Sequence, residues 1–140
     1  MASPNDTVDE LERLRTLTDG AQRNALALRL AEAKTPGLQD VLIEMIGREE
    51  LRSNRGTLVH SLGHYDCSAH LNFLLALVID GGLEVASEAL QIIDLIEAVD
   101  GEEAELAFAS ATKALALAQS NLQDWRRQML EEILEMFEVD

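Results

Sequence analysis

Residues 74–93 read Leu74-Leu75-Ala76-Leu77-Val78-Ile79-Asp80-Gly81-Gly82-Leu83-Glu84-Val85-Ala86-Ser87-Glu88-Ala89-Leu90-Gln91-Ile92-Ile93. The apolar run from Leu74 to Ile79 falls far short of the roughly 18 apolar residues that a membrane span needs, and fits a buried helix face. Gly81-Gly82 stops that helix, because glycine is a poor helix former and supplies a turn without steric cost. Beyond the glycines, Leu83, Val85, Ala89, Leu90, Ile92, Ile93 and Ile96 recur at three- and four-residue spacing, which is the period of a second helix.

The same period extends outward in both directions. Toward the C-terminus, Asp100-Gly101 opens an alanine-rich helix over about Glu102 to Ala118, whose small side chains let neighbouring helices approach closely. Ser120-Asn121 then starts a last helix, with Leu122, Trp125, Met129, Ile133, Leu134 and Phe137 on one broad face and Trp125 sealing the end of the stack. Toward the N-terminus, a helix near Ala69 to Ile79 is capped by Asp66 or Ser68. A longer one over Glu49 to Leu62 stops at Gly63, where a left-handed cap is available. Leu38, Val41, Leu42, Met45 and Ile46 form a stripe closed by Gly47, after the break at Lys34-Thr35-Pro36-Gly37. Before that come a helix capped by Asp19 and a first stripe of Val8, Leu11, Leu14 and Leu17.

Composition agrees with about eight helices. The 140 residues are 47% hydrophobic but only 4% aromatic, with two prolines, as expected of one compact all-α domain over residues 1–140. Residues 1–19 and 120–140 read as its capping helices. The lone Cys67 makes no internal disulfide, and Met1-Ala2-Ser3-Pro4-Asn5-Asp6 lacks the basic and apolar regions of a secretory leader, so the expected address is cytoplasmic.

An offset of 32 residues aligns Leu26 with Leu58 and Leu90, and Leu42 with Leu74 and Leu106. Leu51 and Leu83 match too, as do Ala25, Thr57 and Ala89. Two registers kept through three helix pairs imply stacked helical hairpins, each covered by the next. The stretch from Leu74 to Ile93 resembles the junction of two HEAT repeats, in which one helix ends Leu-Leu-x-x-x-x-Asp and the next begins Glu-Val-x-x-x-Ala-x-x-x-Leu. Arg55-Gly56-Thr57-Leu58-Val59-His60-Ser61-Leu62-Gly63 is similar to the end of the first helix of a HEAT unit. The resemblance covers roughly residues 20 to 110 and departs from the family pattern at Ser53 and Ser87, near where many units carry arginine. It implies a short right-handed superhelix of antiparallel hairpins and a binding scaffold.

All three histidines and the one cysteine, His60, His64, Cys67 and His70, fall within eleven residues. Zinc accepts imidazole and thiolate ligands at such spacing. Gly63 and Asp66, however, place a helix end and a turn among them, and His60 takes the repeat position of Leu28 and Ile92, which points to a partly buried packing role. No metal and no cofactor is therefore expected. The turn Gly63 to Ser68 has two readings: a contact loop anchored by Tyr65, or a tight turn in which Tyr65 packs over the hairpin. No phosphate-binding glycine loop, His-Glu-x-x-His pair or nucleophile elbow occurs, so an enzyme is not expected.

Charge is the strongest functional signal. The formal net charge is -15, and between Arg55 and Lys113 there is no lysine or arginine. Residues 80–140 carry 15 acids and three bases, against 11 and eight in residues 1–79. Nucleic acid and anionic membranes are not expected as partners, since both are bound through clustered Lys and Arg. A basic protein is the natural complement, held by a monomer or weak oligomer. The candidate partner-binding residues are Tyr65, Asp66, Asn72, Phe73, Asp80, Glu84, Glu88, Glu102, Glu103 and Glu105. The chain is similar to the small acidic immunity proteins of bacteria, which implies a stoichiometric inhibitor of a basic toxin or effector. The alternative is a HEAT-like adaptor or assembly subunit of another protein complex.

Overall fold

The computed structural model describes residues 4–118 and 122–137. Among these the chain is all-α, with eight α-helices, two short 3-10 helices and no strand. No described helix is long and apolar enough to cross a membrane. The expected start of the last helix at Ser120-Asn121 lies outside the described residues, but that helix begins only at Asp124, so Leu122 precedes it rather than joining its face. The chain divides into two compact units, one ending at Tyr65 and one beginning at Asp66.

The first unit holds α1 (Pro4–Thr16), α2 (Gly20–Glu32), α3 (Leu38–Ile46), the 3-10 helix η1 (Glu49–Asn54) and α4 (Gly56–Leu62). Its core comprises Leu14 of α1, Leu26, Leu30 and Ala31 of α2, Leu38, Leu42, Met45 and Ile46 of α3, and Leu58 and Leu62 of α4, while Ala25 is exposed and Leu28 half-buried. Burying each such leucine or isoleucine contributes roughly 1.5–3 kcal/mol before entropy is counted. Val8 falls off the stripe and is exposed. Asp19 caps α2 by accepting the Gln22 N–H at 2.9 Å. The turn into α3 needs two left-handed residues, Lys34 (φ 52°) and Gly37 (φ 86°). It is held by Thr35, whose hydroxyl and N–H both donate to the Leu30 carbonyl, at 2.8 and 3.0 Å.

The single helix expected over Glu49 to Leu62 is two pieces. Arg55 breaks it, with its backbone out of the helical region, its side chain buried and its Nη1 donating to the Ile46 carbonyl at 3.1 Å. A tertiary bond to the last turn of α3 thus overrides a local pattern that Ser53, Asn54 and Gly56 already weaken. Gly63 closes α4 in a right-handed conformation (φ -63°), not the left-handed one.

The second unit holds η2 (Ser68–His70), α5 (Leu71–Asp80), α6 (Leu83–Leu95), α7 (Gly101–Ala118) and α8 (Asp124–Met136). Helix α5 is its axis: it is apolar on nearly every side and packs against α6, α7 and α8. Gly81 ends it where no other residue fits, since a Cβ there would lie 2.5 Å from the Leu77 carbonyl and 2.9 Å from Val85. Gly82, by contrast, faces open space.

The 32-residue register is buried in its first two copies, at Leu26 and Leu58 and at Leu42 and Leu74. It lapses in the third. Leu90 is half-buried, and Leu106 is 57% exposed, while the next residue, Ala107, is fully buried together with Ala111. Alanines, rather than leucines, form the contact face of α7, because α5 lies too close for anything larger.

Candidate functional site

Among the candidate acids, Glu103 lies at the N-terminal end of α5, and Asp80 and Glu84 lie at its C-terminal end. At its N-terminal end the backbone N–H of Asn72 donates to Glu103 Oε1 at 3.1 Å, and the Asn72 side-chain amide donates to the Glu103 carbonyl at 2.9 Å. This pair ties the first turn of α7 to the first turn of α5 and satisfies an otherwise orphaned helix N–H. The Asn72 side chain and N–H hold the Glu103 carboxyl below its ordinary range, helped by the nearby His70. Glu103 and Asn72 are thus internal ties. Glu102 and Glu105, one turn apart on α7, are exposed, and Glu102 gains from the positive end of the helix dipole.

Asp66 is exposed and accepts the Ser68 N–H at 3.0 Å, which makes it, and not Ser68, the cap of the following segment. That bond, together with the Ser68 hydroxyl, keeps its carboxyl below the usual range. Asp66 shares a cavity of about 330 Å³ with Ser68, Leu95, Glu97 and Ala98. Glu97 also borders a second cavity of about 270 Å³, whose walls include Leu71, Ile93, Ile96 and Phe137. Leu95 stands 69% exposed at this site. Two carboxylates from separate segments, with an apolar rim beside them, form a seat for a lysine or arginine side chain: the carboxylates take the charged head and the leucine takes the aliphatic stem. Glu97 and Leu95 were not among the residues that the sequence singles out. A lone acid and a leucine at the end of α6 carry no motif, and only the return of α6 along α5 brings them to Asp66.

Asp80 and Glu84 are exposed at the other end of α5, about 12 Å along the helix axis from Asn72. Glu88 is half-buried one turn further along α6, and Phe73 is half-buried on α5. Here the structure adds a residue that the sequence does not single out. Arg126 of α8 is 8% exposed and donates from Nη1 to the Val78 and Ile79 carbonyls and from Nη2 to the Gly81 carbonyl, at 2.5, 2.8 and 2.9 Å. Its Nε is held by Gln123 Oε1 at 3.1 Å, and its guanidinium lies 4.4 Å from the Trp125 ring centre. Burial lowers its pKa, and Asp80 works against that shift. The guanidinium satisfies the open carbonyls at the end of α5 and offsets the negative end of its dipole. One of the second unit's three bases is thereby turned inward, and the surface is left more acidic than the sequence count implies.

In the first unit, Tyr65 is half-buried, its hydroxyl donating to the Thr35 carbonyl at 2.9 Å, and burial raises its pKa. This is the packed-turn geometry. His60 is exposed rather than partly buried, and its ring meets that of His64 edge-on at 6.3 Å between centres. His64 also contacts the Ser61 carbonyl at 3.3 Å. Cys67 is buried and His70 half-buried in the second unit. Among the described residues, no three His, Cys, Asp or Glu side chains are grouped so as to hold a metal ion.

The chain matches no protein-family model, no curated protein and no solved structure.

Proposed function

We propose that this protein is a non-catalytic binding module, an immunity-type inhibitor that neutralises a basic toxin or effector through the acidic end of its second unit. The observation that carries this reading is the cavity shared by Asp66 and Glu97 and bordered by the exposed Leu95. Lysine and arginine side chains of the partner enter there, and the surrounding carboxylates steer the encounter. Charge of one sign concentrated on one surface raises association rates and makes them fall with salt. Inhibition is stoichiometric: occupying a basic active site blocks it without turnover. The net charge of -15 supports the same reading.

The test is capture of partners from the native host on immobilised protein, with stepwise salt elution. The proposal expects one basic protein that elutes with rising salt, forms a one-to-one complex and is toxic when expressed alone. Several non-toxic partners indifferent to salt would replace it with the adaptor reading.

A further inference from the structure

We propose that the first unit binds a phosphate-type oxoanion in a cavity of about 360 Å³ where α1 ends and α2 begins. Three guanidinium side chains, Arg15, Arg23 and Arg48, line this one cavity in a chain whose net charge is -15. The site does not depend on the acidic surface of the second unit, and its failure would leave the proposed function untouched.

Arg23 is the centre of the argument. It is 5% exposed, its Nη1 donates to the Leu17 carbonyl at 3.3 Å, and its Nε has no partner. Among the described residues no carboxylate pairs with it. A buried cation without a counter-charge is costly, and the cavity beside it has room for one. Arg48 is fixed on a second side: Nε and Nη2 hold Glu44 at 2.7 and 2.5 Å, and Nη1 donates to the Arg15 carbonyl at 2.9 Å. Arg15 is exposed, and its ion pair to Glu12 is long at 3.4 Å, so its guanidinium is readily turned to a ligand.

The N-terminus of α2 adds to the same field. Gly20, the first residue of that 13-residue helix, lines the cavity, where the helix dipole favours negative charge, and Asp19 is turned aside onto the Gln22 N–H. Thr18 also lines the cavity. Glu50 is the one carboxylate in the lining, set against three guanidinium groups. The Arg15 and Arg23 guanidinium groups approach from separate helices and Arg48 adds its charge from the loop before η1, a setting that matches a tetrahedral dianion, so the ligand is inorganic phosphate or a phosphomonoester.

The experiment is a titration of the full chain with inorganic phosphate, with O-phosphoserine, and with sodium chloride at equal ionic strength, read by thermal midpoint and by phosphorus NMR. The midpoint should rise saturably with the two phosphates beyond the chloride control. Arg15→Gln, at an exposed position that leaves the fold intact, should weaken binding about tenfold, whereas Glu50→Gln should tighten it. Tighter binding of phosphoserine assigns the site to a monoester, and the reverse to the free ion. Equal shifts with phosphate and chloride, or titrations unchanged by both substitutions, would overturn the proposal.

Discussion

Arg126 Nη1 donates to the Val78 carbonyl at 2.5 Å across 48 residues of chain. With its further bonds to Ile79 and Gly81, it closes the C-terminus of α5 from the outside. Arg126→Met keeps the apolar stem and leaves those carbonyls buried without donors. The expected loss is about 3 kcal/mol, seen as a lower urea midpoint with an unchanged slope. Arg126→Lys restores only part of it, since an ammonium lacks the planar fork.

Gly81 and Gly82 are adjacent but not equivalent. A Cβ at Gly81 meets the Leu77 carbonyl and Val85, whereas one at Gly82 meets nothing. Gly81→Ala should cost about 2 kcal/mol, and Gly82→Ala should stay within about 0.5 kcal/mol of the parent. Paired thermal melts check the contrast, and equal costs would mean that the turn adapts.

The lapse of the repeat at α7 has its own signature. Leu106→Gln should be nearly neutral, because the side chain is exposed, whereas Ala107→Leu overpacks a fully buried position and should cost about 1–3 kcal/mol. The opposite order would restore Leu106 to the core register.

Much of this architecture is legible in the sequence. Three- and four-residue spacing is a local property, so the helices, the Asp19 cap, the stop at Gly81-Gly82 and the buried face of Leu74 to Val78 can all be read from it. Tertiary bonds are not local. The split at Arg55, the closure of α5 by Arg126 and the tie of Glu103 to Asn72 join residues that no periodicity relates. Exposure fails for the same reason: at His60, Val8 and Leu106 an apolar or repeat position says which residues align, not how closely a neighbouring helix approaches. Of the candidate acids, Glu103 carries a structural bond, and Glu97, which lines both cavities, shows no sign of itself in the chain.

The Glu103 tie carries a pH dependence with a definite sign. The bonds from Asn72 lower the folded-state pKa from its ordinary value of 4.5. Their contribution is fully present above that value and is lost as the pH falls through the lowered one, because the unfolded chain then binds the proton first. The carboxyl is largely solvated, so the effect is small. Glu103→Gln, which removes the ionisable group, should flatten the acid limb of stability between pH 5 and the acid transition, checked by urea titrations across roughly pH 3–7. An unchanged limb would show that Glu103 gains nothing from the bond.

In the proposed function the acidic end of the second unit binds a basic protein. The most direct test is parallel capture from the host on the parent and on a Glu97→Lys, Glu102→Lys, Glu105→Lys triple variant, whose exposed substitutions leave the helical circular dichroism unchanged. The parent should retain a basic protein whose association slows with salt, and the triple variant should bind it at least about 100-fold more slowly. Capture of the same partner at the same rate by both proteins would contradict the claim.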